Sequence, residues 1–498
     1  MDKLISLRGE IDRIDEALCR LFEQRMAASA EIAAWKREHG VPIRDAKRES
    51  ELLARNLERI SDPDLRPYYR SFQNSLMACS RAYQAELIGQ DPAALMTVST
   101  SQGSYPVYLR RGVLSEAPDL LDLHRRVFLV TDDGIPPAYS RLLAAQCGEL
   151  ISCVIPQGEA SKSFAQLHAL LQQMLDAGLT RCDCVLALGG GVIGDLAGLA
   201  AALYMRGIDF YNVPTTLLAM LDSSIGGKTA VDLGGVKNTV GTFWQPKAVL
   251  IDPDLLETLP PRQLANGLAE AVKMALTHDP ILFAHFEDPA GYGPVEDVIA
   301  ACLRIKRAVV EADEREGSLR RVLNFGHTLG HGIESAARGR LLHGECVALG
   351  MLPMCAPAVR ERLVPVLERL GLPTYVNRAE IDPEAVLAAV VHDKKAATDC
   401  ITTVFVPRVG AYELPRFSAG PAGAAGNAVF RSLTRDIILA WRWQRNGKYR
   451  SSVRTRDPGA ARPVPIFDRR ASGGRGGLRP AAARAREDSG GISRVTLL

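Results

Sequence analysis

Three of the nine histidines in the chain, His327, His331 and His343, fall within a span of 17 residues. His327 and His331 are four apart, so a helix would carry both on one face. His343 follows a turn rich in Gly and Arg and precedes Gly344 and Glu345. Clustered imidazoles, joined by a carboxylate from elsewhere, suit a divalent ion, zinc foremost. Two helix-face histidines with an unrelated surface histidine are the alternative from spacing alone.

A second chemical signal is Gly189-Gly190-Gly191-Val192-Ile193-Gly194-Asp195, which follows an apolar run at 184–188. Such a loop exposes backbone N–H groups at a helix N-terminus, where a pyrophosphate is stabilised. It is not a strict GxGxxG, and no acidic residue stands out about twenty positions on. A third signal is the set Arg8, Arg25, Lys36, Asp45, Arg48, Glu49, Ser80 and Gln84. Taken singly, each reads as part of a solvated helix face. Asp45, Arg48 and Glu49 share one face by i, i+3 and i+4 spacing.

The elements that must hold these groups can be read from periodicity. Leu4, Leu7, Ile11, Ile14, Leu18, Leu21 and Phe22 recur at helical spacing, and His39-Gly40-Val41-Pro42 stops that helix. A second helix is expected over about 45–60 and a third over about 65–89. Three helices, one of them very long, cannot bury their apolar stripes as a compact monomer, which implies an intertwined dimer. Residues 90–104 read as a linker. Strand and helix then alternate, with strands at 126–131 and 184–188, which predicts a parallel sheet covered by helices. From about 253 to 387 helical periodicity dominates, and 401–406 is a late β-rich segment.

Composition narrows the class. Hydrophobic residues make up 47% and charged residues 23%, as in ordinary globular proteins. The ten cysteines are scattered, with one CxC at Cys182/Cys184, which points to reduced thiols and a cytoplasmic location. No apolar run reads as a membrane span, and the charged N-terminus does not read as a signal peptide. Residues 421–498 hold 15 Arg and one Lys against five acidic residues. This tail has no heptads, no repeat and no regular aromatic platform. It reads as a disordered or out-of-frame extension, and nucleic acid is not expected as a partner.

Residues 1–89 resemble the all-α chorismate mutase family, from Leu7-Arg8 through Asp15-Glu16, Arg25, Lys36, Pro42-Ile43-Arg44-Asp45 and Arg48-Glu49 to Ser80 and Gln84. The resemblance implies that Arg25 and Arg48 hold the carboxylates of chorismate, with Arg8 reaching in from a partner subunit. Glu49 would orient a hydroxyl, Lys36 and Gln84 would meet charge on the ether oxygen, and Asp45 and Ser80 would complete the cage. The rearrangement to prephenate is pericyclic, so no nucleophile or general base is required.

From about 97 to 415 the chain resembles 3-dehydroquinate synthases. The match includes 156–162, Gly190-Gly191, Asp195, Pro214-Thr215-Thr216, 222–229, 235–238 and 322–345. The resemblance implies NAD contacts from Asp132, Glu159, Lys162, Gly190, Gly191, Asp195, Thr215 and Thr216. Asp222, Lys228, Lys237 and Asn238 would serve NAD and substrate. Gly134 departs from the Asn of some members. One divalent metal, zinc or in its place cobalt, would be held by Glu270, His327 and His343. Lys273, Lys306, Arg320, Asn324, His331 and Lys394 would surround 3-deoxy-D-arabino-heptulosonate 7-phosphate, with Arg206 reaching its phosphate from a neighbouring subunit. The implied reaction is redox-neutral overall: oxidation, phosphate elimination, reduction and ring closure, with NAD regenerated. Asp399 stands where a Gly is expected, and the likeness ends near Pro415.

The expected organisation is therefore a multidomain homodimer or higher homo-oligomer. Its parts are an all-α domain (1–89), a linker (90–104), an α/β NAD-binding domain (105–255), a mostly helical metal domain (256–417) and a disordered tail (418–498). Two rivals stand beside it: a related sugar phosphate cyclase of secondary metabolism, and an N-terminal domain that binds chorismate or prephenate without turning it over. Leu323-Asn324 and His331 favour the synthase over the first, and the complete cage argues against the second.

Overall fold

The computed structural model describes residues 2–38, 43, 46–88, 91, 93–234, 236–376, 381–394 and 400–418. Asp45, Asp399 and the tail from 419 onward lie outside them. The N-terminal segment is three helices, α1 (Asp2–Glu38), α2 (Ala46–Glu58) and α3 (Arg66–Leu87). Asp62 caps the turn into α3 by accepting from the Asp64 amide at 2.9 Å. Much of the apolar stripe of α1 is uncovered: Leu7, Ile11, Ile14, Leu18, Leu21 and Phe22 are all exposed, Leu21 by 59%.

A seven-stranded sheet follows. Its strands are β1 (Met96–Thr100), β2 (Gly103–Leu109), β3 (Arg126–Asp132), β4 (Glu149–Ile155), β5 (Cys184–Gly189), β6 (Asp209–Pro214) and β9 (Ala248–Ile251). The helices α4 (Ala117–Leu120), α5 (Pro137–Ala144), α6 (Phe164–Asp176) and α7 (Gly191–Leu203) are interleaved with them. The spatial order is β1, β2, β9, β6, β5, β3, β4, parallel except for β1 against β2. The central strands are continuous apolar runs because helices cover both faces: all six residues of β5 are buried. The sheet thus begins inside the stretch expected as a linker. Met96 and Val98 alternate inward and pair β1 antiparallel to β2. Thr97, Ser99 and Thr100, interleaved with and following them, disguise a half-buried edge strand.

β4 is added on one side of β3 and β5 on the other, so the strand order reverses between β3 and β5. The carboxyl ends beside that crevice are where open α/β sheets bind ligands. A hairpin of β7 (Lys228–Leu233) and β8 (Val236–Phe243) projects between β6 and β9 in the chain.

The second half is helical: α8 (Pro261–His278), α9 (Pro280–Glu287), α10 (Val295–Ala312), α11 (His327–Ala337), α12 (His343–Met351), α13 (Pro357–Arg369) and α14 (Pro383–Lys394). Small strand pairs close it: β10 (Cys400–Thr402) with β13 (Arg416–Ser418), and β11 (Phe405–Arg408) with β12 (Ala411–Glu413). Among the described residues no helix is long and apolar enough to cross a membrane, and the nine cysteines whose side chains are described are free.

Candidate active sites

α8 is buried along most of its length, and it carries Glu270 and Lys273 into the interior with each side chain 1% exposed. α11 starts at Gly326, whose φ of 77° and lack of a Cβ let the chain turn against α12; a Cβ there would meet Met351 Cγ and Val347 O at 2.7 Å. His327 is the first residue of α11 and His343 the first of α12. Their Nε2 atoms each lie 3.6 Å from Glu270 Oε1. Two donors about 2.1 Å from a tetrahedral ion are about 3.4 Å apart, so this spacing fits one metal ion. Glu270 Oε1 is buried without a hydrogen-bond partner among the described residues, which a cation would remedy.

The three histidines also form a cluster whose ligand atoms lie within 4.8 Å of one another. His331 is the exposed member, and the Glu270 separations are tighter, so Glu270, His327 and His343 are the better donor set. The remaining ring nitrogens are oriented: His327 Nδ1 faces Phe325 O at 3.1 Å and His343 Nδ1 faces Glu334 Oε2 at 3.1 Å. Burial, with Lys273 and His343 nearby, holds the His327 imidazole well below its ordinary range. It is therefore held neutral, the form in which an imidazole can bind a metal.

Around this point lies a network of buried charge. Lys273 Nζ reaches Glu270 Oε2 at 2.5 Å and donates to Leu323 O at 2.7 Å. Asp222, on a turn at Ala219–Ser223, is paired with Lys306 of α10 and lies 3.7 Å from Lys273 Nζ. Burial opposes ionisation of Asp222, but Lys306 and Lys273 outweigh it and hold the carboxyl below its usual range. Burial pushes Lys306 down to about 8, against the pull of Asp222. Arg320, 2% exposed, donates to Glu314 O at 2.5 Å and to Gly226 O. Glu316 is paired with Lys228 and accepts from Asn324 Nδ2 at 2.8 Å.

The cofactor-side residues gather at the carboxyl ends of β3 to β6. Asp132 ends β3, Glu159 and Lys162 follow β4, Gly190 and Gly191 follow β5, and Thr215 and Thr216 follow β6. Cβ atoms on Gly190 and Gly191 would lie 3.1 Å from Thr216 Cγ2 and 3.2 Å from Ser223 Oγ. The first turn of α7 is thus a cradle kept open by missing side chains. Lys162, 5% exposed, is held between Asp195 and Asn238. Burial raises the Asp195 carboxyl although Lys162 opposes it. The space beside Gly134 is filled by the Gln157 side chain.

In the helical segment Arg25 donates to Ser80 Oγ and, at 3.3 Å, to Leu76 O, while Lys36 donates to Ile43 O. Glu49 accepts two hydrogen bonds from Arg81, at 2.8 and 2.9 Å. Gln84 is buried and its Oε1 has no partner within the described residues. Arg48 is exposed, as is Arg8. Arg8 precedes Arg25 by 17 residues on one helix, about 25 Å along its axis.

Residues 7–85 match chorismate mutase type II, 152–266 match 3-dehydroquinate synthase N-terminal and 267–396 match 3-dehydroquinate synthase C-terminal. A 3-dehydroquinate synthase of Rhodospirillum rubrum is 43% identical over 352 residues, covering 64% of this chain and 91% of that protein. The chain belongs to the 3-dehydroquinate synthase family, with a chorismate mutase type II segment before it. A 3-dehydroquinate synthase of Lactiplantibacillus plantarum is 44% identical, covering 57% of this chain and 84% of that protein. Among solved structures, a 2-epi-5-epi-valiolone synthase from Streptomyces hygroscopicus with NAD+ and Zn2+ bound is 28% identical, with TM-score 0.62, covering 69% of this chain and 98% of that one.

Of the residues matched to the dehydroquinate synthase family by sequence, Glu270, Lys273, Lys306, Asp222, His327 and His343 are brought together in one buried network. Lys228, Lys237 and Asn238 approach it from the β7/β8 hairpin. Arg206 does not join: it is exposed on a turn where Met205 and Arg206 both take left-handed φ values, 49° and 68°. Lys394 ends α14, with its side chain outside the described set. Three residues were not anticipated: Glu334, Glu316 and Arg81. Glu334 alone had a sequence signal, lying three and seven residues after the helical histidines and so on their face.

Proposed function

We propose that the chain converts 3-deoxy-D-arabino-heptulosonate 7-phosphate to 3-dehydroquinate and phosphate, and chorismate to prephenate, as a bifunctional enzyme of aromatic amino acid biosynthesis. The observation that carries the first activity is Glu270 Oε1 standing 3.6 Å from the Nε2 atoms of both His327 and His343, beside a cradle at the sheet's crevice. Zinc is the metal that suits one carboxylate and two imidazoles. Bound NAD supplies a reversible hydride acceptor, and the metal a Lewis acid.

The protein's own groups orient the sugar acid. Lys273, Lys306 and Arg320 offer cations to its carboxylate and hydroxyls. Lys228, Lys237, Asn238, Asn324 and Lys394 frame the rest. Arg206, exposed and at a left-handed φ, reaches the phosphate from a neighbouring subunit in this reading. His331, solvent-facing beside the metal ligands, is suited to relay protons. The cradle formed by Gly190, Gly191, Thr215 and Thr216 takes the pyrophosphate of NAD, with Asp132, Glu159, Lys162 and Asp195 along its length. The valiolone synthase likeness, at 28% identity, is weaker than the 43% and 44% to dehydroquinate synthases, which disfavours another cyclitol product.

In the helical domain Arg25 and Arg48 bind the two carboxylates of chorismate. Lys36 and Gln84 meet the charge that develops on the ether oxygen. Glu49, Ser80 and Asp45 complete the cage. Arg8 lies too far along α1 to serve the Arg25 site of its own chain, and the exposed apolar stripe of α1 calls for a second copy. A homodimer in the cytoplasm, built on that stripe, satisfies both. Purified protein assayed with each substrate, with and without NAD and zinc, tests the reading. Dehydroquinate formation that ignores chelation refutes the metal site. Absence of chorismate consumption leaves the N-terminal domain a binding module.

A further inference from the structure

Glu334 lies on α11 with its side chain 13% exposed, and its two oxygens serve different parts of the site. Oε2 is 3.1 Å from His343 Nδ1, and Oε1 accepts from Lys237 Nζ at 2.8 Å. Lys237 sits on the β7/β8 hairpin and also lies 3.4 Å from Glu159, which follows β4 at the cofactor crevice. One carboxylate therefore touches a proposed metal ligand and the hairpin that carries Lys237 and Asn238 over the site. Most other carboxylates in the network have simpler duties: Asp222 pairs with lysines and Glu316 with Lys228 and Asn324.

We infer that Glu334 is a positioning residue that fixes the tautomer and ring angle of His343 and docks the Lys237 hairpin onto the metal domain. The inference rests on the reading of His343 as a ligand. A carboxylate at Nδ1 keeps the proton there, so the Nε2 lone pair faces Glu270 and the ion. The same carboxylate, being ionised, accepts from Lys237 without a competing donor. Glutamine cannot do both. Its single carbonyl oxygen satisfies either His343 or Lys237, and its NH2 then faces the other donor. Glutamate is thus the residue the geometry requires, and its size alone would not suffice.

The test is zinc affinity, measured on NAD-free protein by competition with a chromogenic chelator, for wild type, Glu334→Gln, Glu334→Ala and His343→Ala. Loss of such an outer partner weakens metal binding about 10–100-fold, and that is the expected result for Glu334→Ala. Glu334→Gln preserves volume and is expected to weaken it less. Its thermal midpoint without metal should match wild type, so a general packing defect would be seen separately. A hairpin docked through Glu334 also predicts faster proteolysis of residues 228–243 in both Glu334 variants. Wild-type zinc affinity in both variants, with His343→Ala clearly impaired, overturns the inference. Wild-type affinity in His343→Ala as well would sink the ligand assignment on which it rests.

Discussion

Gly344→Ala tests how the metal centre is assembled. Gly344 follows His343 in α12 and lies against α8, where its amide donates to Asn266 Oδ1 at 2.5 Å. A Cβ at this position would be 2.0 Å from Asn266 O and 2.9 Å from Asn266 C. These are backbone atoms of a buried helix and cannot swing aside. Restoring even a tight contact of about 3.2 Å needs a retreat of α12 by about 1.2 Å, since packed interiors leave no slack. Asn266 is one helical turn before Glu270, so the retreat acts on the metal site directly. It would open the 3.6 Å separation of His343 Nε2 and Glu270 Oε1 to as much as about 4.8 Å, well beyond the roughly 3.4 Å that a tetrahedral ion tolerates. Overpacking of this kind costs about 1–3 kcal/mol. Gly344→Ala is thus expected to melt earlier and to bind zinc at least about tenfold more weakly, as for a displaced ligand. Chelator competition and a thermal melt read both quantities. A variant destabilised as expected but with unchanged zinc affinity would show that His343 and Glu270 do not share an ion.

Four further outcomes follow from the same geometry. Lys306, pushed down to about 8 by burial, loses its charge as pH rises through that value, so kcat/KM for dehydroquinate formation should fall above about pH 8. Stability has the opposite sign there: between about 8 and the unfolded value of 10.5 the unfolded chain binds more protons, so folding is favoured as pH rises. Lys306→Arg should move the activity limb to higher pH; an unmoved limb assigns it to another group. Lys36→Ala should cost chorismate turnover about 3–4 kcal/mol and leave dehydroquinate formation intact, and equal loss of both would signal a folding defect. Leu21→Asp, at a residue 59% exposed in one chain, should abolish dimerisation through the helical segment and chorismate turnover with it; an unchanged sedimentation coefficient would refute the covered stripe. Removing residues 421–498 should spare both activities and the melting temperature, because an Arg/Gly/Ala-rich segment buries too little apolar surface to offset ordering entropy; loss of dehydroquinate synthesis would make it a folded part of that domain.

The sequence by itself determined which groups are candidates for chemistry, because ligand-bearing and periodic patterns are local. His327 and His331 share a helix face by spacing. The apolar runs at 126–131 and 184–188 became β3 and β5 because buried parallel strands need continuous apolar residues. The long α1 stripe announced an uncovered surface. Motif likeness added Glu270, 57 residues before His327, which spacing could not have paired with it. Tertiary structure decided what depends on contacts distant in the chain. It turned a third of the expected linker into β1, since an edge strand is defined by its neighbour β2. It brought Glu270 of α8 to 3.6 Å from His327 and His343 at the starts of α11 and α12, which is why we propose Glu270 over His331 as the third donor. It gave Glu316 to Lys228 and Asn324, Arg81 to Glu49, and Glu334 to His343 and Lys237. Those carboxylates and cations look like solvated surface in one dimension, and only the burial produced by packing gives each a definite partner.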